Sequence, residues 1–282
     1  MKIGILIVFK GVVTIVEQNK RIIKYRLVTI ISLDWFKYGT FFLILIFNFS
    51  ALFNSGILLS GGASFNGTEK YELIMNNYIT INSLYGGIIS ICLGAGLIGV
   101  DVKSKNIYVI FSAIKSRRNY YLLSILAGEL IYIIIHTFIT LNCILIMKAV
   151  SINFLWDELL QLYVGILLNA TVYYVITSFC SVLIKGYKSI IIGILMYVYY
   201  YVYTFNTIPF VNGAIQFDIV SYKKYFGALF PMTNLLVKSV TDIQVYEYFL
   251  LAPLGINVSL YQVIYIIVFV ILGTIAIDRK SY

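Results

Sequence analysis

Charge is scarce in this sequence: Asp, Glu, Lys and Arg together make up 12% of its 282 residues, about half the share of an ordinary soluble domain. Proline is rarer still, with three residues, Pro209, Pro231 and Pro253, all in one fifty-residue stretch. There is one histidine, His136, and the three cysteines, Cys92, Cys143 and Cys180, lie singly inside apolar runs. These shortages exclude several classes. Unpaired cysteines without a CxxC spacing suggest neither a disulfide framework nor a zinc site. No HExxH, GxSxG or GxxxxGK[ST] pattern occurs, so a zinc protease, a serine hydrolase and a P-loop nucleotide site in this chain are not expected. Catalytic residues, metal ligands and a resident cofactor are therefore all read as none.

What is abundant is apolar surface, 61% of the chain, against about 45–50% in soluble domains. So much of it can be kept neither in water nor in a disordered chain. Six runs of roughly twenty apolar residues match the thickness of a bilayer when helical: Tyr38 to Ser60, Ile79 to Val100, Tyr121 to Met147, Gln161 to Ile184, Ser189 to Ile208 and Ser259 to Ile277. The expected fold is an all-α membrane protein forming one transmembrane domain over residues 1–282. Ahead of the first run, residues 1–37 are apolar at first and then basic. They read as an amphipathic interfacial helix rather than a signal peptide.

The basic residues set an orientation. Lys2, Lys10, Lys20, Arg21, Lys24, Arg26 and Lys37 precede the first run; Lys103, Lys105, Lys115, Arg117 and Arg118 lie between the second and third; Lys185, Lys188, Arg279 and Lys280 fall on the same side. Lys70, Lys148, Lys223, Lys224 and Lys238 fall opposite. Positive charge is retained on the cytoplasmic face, so both termini are expected there in a multi-pass protein of the cell membrane. The net charge of +9 is then accounted for by topology and by attraction to anionic lipid headgroups, without a nucleic-acid partner.

Two segments outside the runs carry information. In the loop 101–120, Ile107, Ile110, Phe111 and Ile114 recur at helical spacing, giving a short amphipathic helix at the cytoplasmic surface with basic residues toward its ends. The outer segment 209–258 contains apolar stretches too short to span, broken near Pro231 and Pro253. They are expected as re-entrant or interfacial helices, or as a small cap of packed helices. Within the runs, Glu129 and His136 stand seven residues apart on nearly the same helix face. Ionisable groups at that depth are costly and by default mark a pathway, though a hydrogen-bonded structural role competes with that reading. Gly86, Ser90 and Gly94 repeat every fourth residue and suit close helix packing.

The layout resembles the type 2 permeases of ABC transporters, the six-span membrane subunits of many exporters. The likeness rests on the basic interfacial segment, six spans with both ends inside, the amphipathic helix between spans two and three, and the apolar outer segments. Asp101, the helix Ile107 to Ile114, and Ser116 with Arg117 are similar to an acid, a short apolar helix and a small residue with Arg in that family, and Leu229 to Thr233 to a proline-containing turn. The Gly-Thr pair usual after the acid is replaced near Lys105 and Asn106. The resemblance implies a dimer with a second permease copy or a homologous permease, served by soluble P-loop ATPase subunits that bind ATP and Mg. Asp101, Ile107, Ile110, Phe111, Ile114 and Arg117 would then couple the chain to those ATPases. An autonomous proton-coupled transporter or channel using Glu129 is the alternative, and a non-transporting membrane anchor a third.

Overall fold

In the computed structural model, the described residues are most of 2–46, scattered positions in 71–86, most of 87–149, then 151, 156–184, 188–205, 234–239, 242–246 and 258–279. Seven helices and one hairpin are labelled in chain order: α1 (Lys2–Ser32), α2 (Gly87–Lys103), α3 (Asn106–Ala113), α4 (Arg117–Ala149), α5 (Trp156–Leu183), α6 (Ser189–Phe205), β1 (Asn234–Ser239), β2 (Asp242–Tyr246) and α7 (Val258–Arg279). The sequences of α4, α6 and α7 are rich in Ile, Val and Tyr, which favour strands in water. In lipid the backbone groups must be satisfied within the segment, so such runs become helices.

Among the described residues, three helices are long and apolar enough to cross a membrane: Arg117–Ala149, Leu159–Leu183 and Ser259–Arg279. A fourth crossing is formed if Glu17–Ser32 and Phe36–Ile46, bent by 65°, count together. The other two expected spans correspond to α2 and α6, each of 17 residues, or about 25 Å of helix against about 30 Å of hydrocarbon. Most of the first expected span beyond Ile46, and most of the stretch ahead of Gly87, lie outside the described residues. At 33 residues, α4 is about 50 Å long, longer than the roughly 30 Å of hydrocarbon in a bilayer.

α5 occupies the centre. Its second half, Ala170 through Val182, is buried on nearly all sides, with α2 as its closest neighbour and α7, α6 and α4 around it. The Gly86, Ser90, Gly94 stripe explains the first contact. A Cβ at Gly94 would stand 2.5 Å from the Tyr174 carbonyl oxygen, 3.1 Å from the Ser178 nitrogen and against the Thr177 hydroxyl. At Gly86 it would stand 2.6 Å from the Tyr132 hydroxyl of α4. Ser90 between them is 1% exposed. Small residues therefore let α2 touch backbone on α5 and a tyrosine on α4. Ser and Thr hydroxyls on α4 and α5 donate back to carbonyls one turn earlier, as Thr137 does to Ile133, Thr177 to Tyr173 and Ser178 to Tyr174, which satisfies them without water.

The outer segment departs from expectation. Its described residues, β1 and β2, pair antiparallel from Asn234↔Tyr246 to Ser239↔Asp242, with a bulge between Val237 and Ser239. They are a hairpin, not interfacial or re-entrant helices. The backbone here pairs between strands, and Leu235, Val237, Ile243 and Val245 supply the β-branched and apolar residues that a strand accommodates. The remainder of 209–258 lies outside the described residues.

Candidate functional site

The loop 101–120 forms the helix its periodicity suggests. α3 spans Asn106–Ala113, and Ile114 lies outside the described residues. Two local features bound it. Lys105, just before α3, has φ 59°, the left-handed region that glycine fills without strain. After α3, Ser116 caps α4: its Oγ accepts from the Asn119 amide at 3.3 Å and its carbonyl accepts from the Tyr120 amide at 3.2 Å, the geometry of an N-cap.

The apolar face expected to meet a partner is turned inward. Ile107 is 1% exposed, and Ile110 and Phe111 pack against the core. Phe111 meets the Tyr120 ring edge-on at 5.6 Å, and the Arg117 guanidinium lies 5.0 Å from the Phe111 centroid. The exposed residues are Lys105, Asn106, Tyr108, Val109 and Ser112. The hydrophobic effect explains the inversion: a short apolar face beside a helix bundle buries itself there first. Arg118, considered as a headgroup anchor, forms a two-nitrogen contact with Asp278 at the end of α7, 2.7 and 3.0 Å. That pair is exposed and contributes little by itself.

Beneath α3 lies a buried polar cluster joining three helices. Asp101, at the end of α2, is fully buried and ion-paired with Arg26 of α1. It also accepts hydrogen bonds from Tyr25 at 3.0 Å and from Tyr120 of α4. Arg26 donates from Nε to the Ser124 hydroxyl at 2.9 Å and lies 4.5 Å over the Tyr120 ring. Nearby, the Tyr174 hydroxyl of α5 donates to the Ile125 carbonyl at 2.9 Å. Two charges removed from water cost several kcal/mol each, which pairing and added hydrogen bonds must offset. Here the carboxylate meets Arg26 and the Tyr25 and Tyr120 hydroxyls, and the guanidinium has an ion pair, a hydroxyl and an aromatic face. The cluster thereby ties α1, the last turn of α2 and the first turns of α4 into one unit at the base of α3.

Sequence reasoning singled out Asp101 but missed its partners, having assigned Arg26 to the headgroup-facing basic run. The signal was present. Ile22, Arg26 and Ile30 recur every fourth residue and are 7%, 1% and 4% exposed, so Arg26 stands in the apolar stripe of α1, while Lys20, Arg21 and Lys24 are exposed on another face.

Glu129 and His136 occupy separate environments along α4. Glu129 is half-buried against α5, with its Oε1 2.6 Å from the Thr171 hydroxyl. His136 is buried, its Nδ1 3.2 Å from Asn82 Oδ1 and its Nε2 3.2 Å from the Tyr163 carbonyl oxygen. The structure does not bring the two into contact. Among the described residues, no three His, Cys, Asp or Glu side chains gather in a way that could hold a metal ion. No family model matches the chain, and no curated protein matches its sequence.

Proposed function

We propose that this chain is the membrane-spanning permease subunit of an ATP-driven exporter of the ABC type, with six spans and both termini in the cytoplasm. It works as a dimer of permease subunits, with ATP and Mg bound by separate P-loop ATPase subunits. The observation that carries this reading is the arrangement around α3. A helix of eight residues projects between two membrane helices and is bound at its base by a buried ion pair that also grips α1. Such an element is suited to transmit force: a partner pushing on α3 displaces α2 and α4 together, because the Asp101 cluster and the Ser116 cap leave little slack between them. The positive-inside asymmetry and the apolar helices support the placement of α3 at the cytoplasmic surface.

In this reading the contact with the ATPase is made by Tyr108 and Val109, which are 53% and 69% exposed, and not by Ile107 or Phe111. The test is co-purification of the full chain with a soluble P-loop ATPase from its native membrane. Val109→Asp is expected to abolish that co-purification while leaving the helix content and thermal stability of the chain unchanged, since the residue supports nothing within the bundle. A chain that purifies from native membranes with no ATPase, yet transports on a pH gradient alone, refutes the proposal in favour of the autonomous transporter.

A further inference from the structure

His136 has hydrogen-bond surroundings that a neutral imidazole cannot fully satisfy. Its Nδ1 faces Asn82 Oδ1 and its Nε2 faces the Tyr163 carbonyl oxygen, each at 3.2 Å. The orientation of the Asn82 amide is set by its own nitrogen, which donates to the Tyr78 carbonyl at 2.8 Å; the side-chain oxygen is left toward the ring. The nearby hydroxyl protons are directed elsewhere. Thr140 donates to the His136 carbonyl at 2.8 Å, so the Tyr78 hydroxyl, 2.8 Å away, donates to Thr140. Thr137 donates to the Ile133 carbonyl at 2.7 Å, so the Tyr163 hydroxyl, 2.9 Å away, donates to Thr137. Both ring nitrogens thus face acceptors. A neutral imidazole carries one N–H and an imidazolium carries two, so only the protonated ring makes both contacts.

The aromatic surroundings favour the same form. The imidazole stacks on Tyr163 at 4.6 Å between centroids, on Tyr132 at 6.0 Å and on Tyr78 at 6.2 Å, and the electron-rich faces of such rings attract a cation. Burial opposes charging the ring. Among the described residues the titratable groups facing it are those three tyrosines, one from α4 itself, one from α5 and one from the segment preceding α2. The nearest carboxyl on α4, Glu129, lies about two turns away and is engaged by Thr171.

We propose that His136 is an intramembrane proton-binding site that clamps Asn82 to α5 through α4. With the proton bound, the ring donates to Asn82 and to the Tyr163 carbonyl at once. When the proton leaves, one of these links loses its hydrogen and opens. The chain has a single histidine, so the full-length protein labelled with ring-15N histidine reports this site without assignment, in detergent micelles or in lipid bilayers. The expected result is a titration between a neutral ring and one with two hydrogen-bonded N–H groups, with exchange of the Asn82 side-chain amide hydrogens at least tenfold faster in the neutral form. Asn82→Leu removes one acceptor and is expected to weaken proton binding at least tenfold. A ring that keeps one N–H throughout the pH range in which the wild-type protein stays folded overturns the proposal, and this measurement needs no variant. A titration whose midpoint Asn82→Leu leaves unchanged overturns it as well.

Discussion

Breaking the buried pair between Arg26 and Asp101 should show whether α1, α2 and α4 move as one body. Asp101→Leu leaves the Arg26 guanidinium buried, at 1% exposure, without its counter-ion. Arg26→Met leaves the carboxylate buried without its cation, while the Tyr25 and Tyr120 hydroxyls still donate to it. Removing one partner of a buried ion pair costs about 3–5 kcal/mol, and each single variant is expected in that range. The double variant Arg26→Met with Asp101→Leu removes both charges. Its main residual cost is the Tyr120 hydroxyl, buried and deprived of its carboxylate acceptor, at about 1–3 kcal/mol; Tyr25 is 39% exposed and recovers water. The double variant should therefore be no less stable than either single one. The assay is reversible unfolding of the four proteins in mixed micelles, followed by far-ultraviolet circular dichroism, with the coupling energy taken from the cycle. Single-variant costs that simply add in the double variant would mean that the two side chains do not depend on each other, and the account of α3 as a rigidly based lever would fall with them.

Gly94→Ala places a methyl group 2.5 Å from the Tyr174 carbonyl oxygen, whereas a Cβ at Gly39 meets nothing within 4 Å. The first should destabilise by about 1–3 kcal/mol through overpacking, and the second should be neutral or stabilising by up to about 1 kcal/mol through helix propensity, both read from thermal melts. Lys105→Gly relieves a left-handed residue with φ 59° and is expected to raise stability by about 1 kcal/mol; a loss would show that the Lys105 side chain contributes more than its backbone costs. Glu129→Gln keeps both an oxygen and a donor for Thr171, while Glu129→Leu leaves that hydroxyl facing an apolar group. Gln should therefore be the better tolerated in stability and in transport, and equal behaviour of Leu and wild type would remove any role for the carboxyl.

Hydropathy was sufficient to read a helical chain with helices long and apolar enough to span a membrane and to place α4, α5 and α7 within a few residues, because a bilayer would act on each segment independently. A run of about twenty apolar residues must be helical whatever its neighbours do. The periodicity of 107–114 likewise revealed α3, and the repeat of Gly86, Ser90 and Gly94 announced a close helix contact. Which way α3 faces was not legible, since an amphipathic helix has an apolar side whether it meets a partner or its own bundle. The hairpin was missed for a related reason: once a segment leaves the hydrocarbon, the constraint that forces helices is lifted and short apolar stretches become ambiguous.

The pairings across the fold belong to tertiary structure alone. Asp101 and Arg26 are 75 residues apart in sequence, and Asn82, His136 and Tyr163 come from three different segments. Each of these side chains had a sensible local reading, as a topological charge, a loop acid or a lone intramembrane imidazole. Only packing showed that Arg26 is inside, that Asp101 holds it there, and that both nitrogens of His136 face oxygen. The physical reason is that a polar group in a low-dielectric interior is decided by what lies within about 3 Å of it, and that distance is set by how helices far apart in the chain come to lie against one another.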